Sequence, residues 1–171
     1  MLCPSLGGLR RLSCALILTT FPLVAEPAED GPSAPLVEEL ELWLDQHSDL
    51  PRRAVRPEIA LVTPLEAIAI VEDQRPSARD GLRGFYDPER RQIWLIAPWS
   101  ADDPQNISTL LHELVHHRQA EAGHWYCPGA QELPAYRLQE AWLAERGHAL
   151  QANWVAVVLE AGCAPRDIHP D

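Results

Sequence analysis

Apolar residues recur at helical spacing at Leu36, Leu40, Trp43 and Leu44, which predicts an amphipathic helix over residues 36–46. Glu58 to Val62 is a short apolar run and reads as a buried strand. Pro64 suits the first turn of a helix reaching about residue 72. Residues 84–96 have the shape of a β-hairpin, with Phe85 and Tyr86 on one arm. Asp87-Pro88-Glu89-Arg90 makes the turn, and Ile93 to Ile96 forms the return arm. Asp103 followed by Pro104 is a cap and a first helical position, so a helix is expected from Pro104 to about Ala122, ending near Gly123. A loop over residues 124–129 leads into a helix over 131–146, where Pro134 is tolerated only in the first turn. A last helix is expected over residues 149–161. The pattern is α+β, with helices packed on a small antiparallel hairpin or sheet in one domain over residues 36–171.

The first residues change the picture of where this chain works. Arg10 and Arg11 precede an apolar stretch from Leu12 to Ala25, and acidic, Pro-rich sequence starts at Glu26. That stretch suits a secretory signal over residues 1–25 better than a span of about 20 apolar residues, the alternative being an uncleaved anchor. Residues 26–35 read as a flexible leader, 51–57 as a Pro-punctuated linker and 74–81 as a polar loop. A periplasmic or secreted location is expected. Cys3 and Cys14 then leave with the signal, and Cys127 and Cys163 remain as a pair expected to be bridged, the alternative being two separate thiols. The net charge of -11 argues against nucleic acid and against a polybasic membrane surface as partners. No stable membrane span is expected after signal cleavage, and oligomeric state is not legible.

The chemistry lies on the helix that starts at Pro104. His112, Glu113 and His116 form His-Glu-x-x-His. Residues four apart lie one turn apart on one face, so two imidazoles can share one zinc ion. With about 100° per residue, Ile107, Leu110, Leu111 and Leu114 fall on the opposite face, towards a core. Glu113 is offset by about 100° from His112, from where a carboxylate can take a proton from water on the metal.

A third ligand must come from elsewhere. Glu132, at the start of the following helix, is the first choice, with His124 and Glu140 as rivals. Thr109-Leu-Leu-His-Glu-Leu-Val-His-His-Arg-Gln119, followed by Glu132-x-x-Ala135-Tyr136-x-x-Gln139, resembles the gluzincin class of zinc metallopeptidases. It is more closely similar to small exported bacterial domains with a His-Glu-Leu-Val-His core. The resemblance spans roughly residues 84–145. It implies His112, His116 and Glu132 as zinc ligands and Glu113 as general base. One position departs: thermolysin-like members carry an Asp four residues after the ligand Glu, where it orients a ligand His, and here that position is Tyr136. Its hydroxyl could orient a ligand or donate to an oxyanion, or its ring could pack in the core.

Other candidates weigh less. His117 reads as a surface or packed residue, and Gln119 falls on the ligand side, where it could contact substrate. Trp94, Trp99 and Trp125 read as core or cleft walls. The expectation is an exported zinc metallohydrolase acting on a peptide, a protein or a cell-wall peptide. The alternative is a metal-stabilised binding or accessory module without turnover.

Overall fold

The computed structural model describes residues 31–74, 82–123 and 125–163. The expected signal over residues 1–25, the first half of the leader, the rival ligand His124 and most of the loop 74–81 lie outside these residues. Among the described residues, no helix is long and apolar enough to cross a membrane.

Helix α1 spans Ala34–His47, two residues earlier than the apolar spacing alone predicts. Ser33 caps it, its side chain accepting from the Leu36 amide, and Pro35 occupies the first turn. Part of the expected leader is therefore helical. Val37, Leu40, Trp43 and Leu44 form its buried face. Trp43 Nε1 donates to Glu145 Oε2 at 2.8 Å, which ties α1 to a helix a hundred residues on.

Three strands follow from the apolar runs: β1 (Glu58–Val62), β2 (Gly84–Asp87) and β3 (Gln92–Ile96), in the order β1-β3-β2. The hairpin β2–β3 is antiparallel, but β1 pairs with β3 in parallel, so the sheet is mixed rather than antiparallel as expected. The physical reason is helix α2 (Pro64–Gln74), which carries the chain away from β1 and forces a crossover before the hairpin. Strand β3 is central and apolar on both faces. Ile93 and Leu95 are fully buried in the main core, while Trp94 and Ile96 join Val62, Ala67 and Phe85 in a smaller one.

Helix α3 (Pro104–Ala122) begins and ends where its caps predict, with Asp103 accepting from the Gln105 amide. Leu110, Leu111, Leu114 and Val115 are fully buried against α1 and the sheet. Two polar anchors on α3 fix what lies around it. Arg118 is fully buried; Nε donates to Glu41 Oε2 at 2.9 Å and Nη2 to Asp45 Oδ1 at 2.7 Å, joining α3 to α1. His117 is packed rather than on the surface. Its Nε2 donates to the Val55 carbonyl at 2.9 Å, so Nδ1 accepts, facing the Tyr86 hydroxyl at 3.1 Å and Arg53 Nη1 at 3.3 Å.

Burial, aided by the neighbouring guanidinium of Arg53 and opposed by the hydrogen bond to Val55, lowers the His117 pKa from the ordinary 6.5 to about 4. The unfolded chain therefore binds this proton first as pH falls. Stability attributable to His117 is complete above about pH 6.5 and is lost progressively down to about pH 4, at the limit roughly 3 kcal/mol. Urea unfolding between these pH values should show a steeper loss for the wild type than for His117→Gln. Equal slopes would contradict the assignment.

A short 3-10 turn (Pro128–Gln131) leads into α4 (Glu132–Glu145), and α5 spans Trp154–Ala161. The expected helix over residues 149–161 is thus shorter at its start. Asn153 caps α5 by accepting from the Ala156 amide, and the Ala149 carbonyl accepts from Gln105 Nε2 instead of entering a helix. Cys127 and Cys163 form the expected disulfide, worth about 3–4 kcal/mol in the chain-entropy model. Close packing reinforces it: a Cβ on Gly129 would collide with the Glu160 carbonyl oxygen. The segment leading into α4 is thereby clamped to the end of α5.

Candidate metal centre

Helix α3 presents His112, Glu113 and His116 away from its leucine stripe, as the helical period requires. Helix α4 packs on it, and the small Ala135 is fully buried in the same core as Leu110, Leu111 and Leu114. On α4, Glu132, Tyr136 and Gln139 follow Ala135's side of the helix at spacings of four and three. The crossing therefore brings one face of α4 onto the histidine face of α3. His112, Glu113 and Gln139 are buried, and His116, Glu132 and Tyr136 are half-buried.

Three side chains from the sequence analysis converge. His112 Nε2 and His116 Nε2 are 3.0 Å apart, and Glu132 Oε2 lies 3.3 Å from the first and 3.5 Å from the second. A tetrahedral zinc ion with ligand distances of about 2.0–2.1 Å separates its ligand atoms by about 3.3 Å. The three edges of this triangle bracket that value, so these residues fit a metal ion. Both imidazoles are held from behind. His112 Nδ1 lies 3.1 Å from Gln139 Oε1, and His116 Nδ1 lies 2.8 Å from Gln119 Oε1.

The electrostatics match a cation site. Burial alone would raise the proton affinity of Glu132, but His112 and His116, whenever they carry a proton on Nε2, outweigh it by hydrogen bonding and charge and hold the carboxyl well below the usual range. Burial opposes charge on His116, yet Glu132 and Glu113 outweigh it and raise its pKa. The pocket concentrates negative potential on the two rings.

The three donors and Glu113 line one cavity of about 500 Å³, with Phe85, Tyr136, Leu150 and Glu160 also in its wall. Glu113 is 5% exposed and its charge acts on both His116 and Tyr136. The Tyr136 ring meets His112 edge-on with centroids 4.5 Å apart, and its hydroxyl has no hydrogen-bond partner among the described residues. Burial, with the carboxylates of Glu132, Glu113 and Glu160, raises its pKa, which favours the protonated phenol and leaves its O–H able to donate. Gln139 Oε1, and not the Tyr136 hydroxyl, lies against His112 Nδ1, where thermolysin-like members place an orienting Asp.

Two other expectations are corrected. Glu140 pairs with Arg137 at 3.3 Å and is absent from the cavity wall. Gln119 is fully buried, so it cannot contact substrate; its amide is used between His116 and the Gln131 carbonyl. Of the expected core or cleft walls, Trp94 packs against the smaller core and Trp99 against the main one, none of Trp94, Trp99 and Trp125 lines the cavity, and Trp99 and Trp125 donate to the Asn106 and Gln119 carbonyls. Sequence reasoning missed the roles of Gln139 and Ser108 and the placement of Glu160. A signal existed for Gln139, which lies seven residues, nearly two turns, after Glu132 and so on its face. For Glu160 there was none, because its approach depends on the disulfide and the Gly129 contact.

No curated protein and no solved structure matches the chain. A family described as a domain of unknown function matches residues 29–171, a span that includes every residue of the site just described. The chain belongs to this family, DUF6647.

Proposed function

We propose that this protein is an exported, zinc-dependent metallohydrolase that cleaves peptide bonds in a peptide, a protein or a cell-wall peptide. The observation that carries the reading is the triangle of His112 Nε2, His116 Nε2 and Glu132 Oε2 on the wall of a cavity that Glu113 also lines. Two imidazoles and one carboxylate are a donor set that suits zinc and leaves a fourth position open. When bound, the ion supplies a Lewis acid that acidifies water and polarises a carbonyl.

The chain's own residues supply the rest. Glu113 accepts the proton of the attacking water and returns it to the leaving amine. The Tyr136 hydroxyl donates to the oxygen that becomes negative as the carbonyl carbon turns tetrahedral. Burial of Glu113 beside the buried His112 and half-buried His116 rings keeps bulk water from competing for that proton. The resemblance to gluzincins supports the same assignment, and the disulfide agrees with an oxidising compartment.

The test is hydrolysis of casein and of a fluorogenic peptide library by protein stripped with chelator and reloaded with zinc. Activity that disappears on chelation and returns with zinc is expected. A zinc-loaded protein that turns over none of these substrates would instead be a metal-stabilised binding module.

A further inference from the structure

We propose that Gln119 and Gln139 lock both ligand imidazoles in the tautomer that leaves Nε2 bare, and so build the metal site before any ion arrives. The inference rests on the metal-site part of the reading above and is independent of hydrolysis.

The orientation of each amide is fixed by a third group. Gln119 Nε2 lies 2.9 Å from the Gln131 backbone carbonyl, which can only accept, so the amide nitrogen must face it. Oε1 then faces His116 Nδ1 at 2.8 Å, and since an amide oxygen also only accepts, Nδ1 carries the proton. The same logic runs through a serine for the other ring. Ser108 Oγ donates to the Gln105 carbonyl at 2.8 Å, so it accepts from Gln139 Nε2 at 3.0 Å. Gln139 Oε1 is left facing His112 Nδ1 at 3.1 Å, and that nitrogen is again the donor.

Each neutral ring then has its lone pair on Nε2. Two such lone pairs 3.0 Å apart, with a carboxylate oxygen 3.3 and 3.5 Å away, repel one another unless a cation sits among them. Gln119 is fully buried and Gln139 is 6% exposed, so water cannot easily substitute for either amide. These residues are positioning residues: they act through the imidazoles.

Two measurements test this. The first is 15N NMR of the metal-free wild type at about pH 9, well above the ordinary imidazole range. Protons on Nδ1 of both His112 and His116 are expected, and a proton on Nε2 of either ring overturns the proposal. The second is zinc affinity by chelator competition. Gln139→Met keeps the volume but removes the acceptor, and should weaken zinc about 10–100-fold. Gln139→Glu restores an acceptor and should bind zinc at least as well as the wild type. Wild-type affinity in Gln139→Met, or equal losses in both variants, overturns it. If Gln139→Met does not fold, the NMR result alone decides. A wild type that binds no zinc but shows both Nδ1 protons refutes the metal site and leaves the tautomer assignment standing.

Discussion

Alanine at both His112 and His116 should lower zinc affinity about 10⁴-fold while leaving the fold intact. Four-ligand structural zinc sites bind with about 10–16 kcal/mol, so each ligand carries roughly 3 kcal/mol and two carry about 6. The fold does not depend on the rings, because α3 is held by Leu110, Leu111 and Leu114 and by the Arg118 ion pairs with α1. Metal-free wild type and double variant should therefore unfold at similar temperatures. Only the wild type should gain stability when zinc is added, since only a ligand that binds the native state shifts the midpoint. Isothermal titration and thermal unfolding, with and without zinc, check both halves. Equal zinc-induced stabilisation of the two proteins would place the metal elsewhere.

Glu113→Gln separates chemistry from binding. Glu113 is not one of the three converging donors, so the variant should hold zinc as the wild type does. The amide is isosteric and cannot accept a proton, so peptide hydrolysis should fall by about 10²–10⁴, the usual contribution of a positioned general base. The loss should lie in kcat rather than KM, because the proton moves only in the transition state. Zinc content and kinetics on one peptide substrate measure this. Retained turnover would remove Glu113 from the mechanism, and loss of zinc would make it a structural residue.

Much of this was legible in the chain because the relevant information is local. The bounds of α3 follow from Asp103, Pro104 and Gly123, and its two faces follow from the helical period. The choice of Glu132 over Glu140 needed only the idea that the start of α4 returns across α3. The parallel pairing of β1 was hidden, because an apolar run of five residues does not state its partner or direction. The polar relays behind the rings were hidden for a related reason. Gln119 and Gln139 are ordinary helix residues until the fold sets Gln139 against His112 across two helices and the Gln131 carbonyl against the Gln119 amide, whose oxygen meets His116 on the same helix. The start of α5 depended on a single cap at Asn153 competing with a longer apolar run.

The most direct test is a crystal structure of zinc-soaked protein with data collected at the zinc absorption edge. One anomalous peak is predicted between α3 and α4, about 2.0–2.1 Å from the Nε2 atoms of His112 and His116 and about 2.0–2.2 Å from a Glu132 oxygen. No peak there, with the two rings bonded only to each other and to Glu132, would contradict the account.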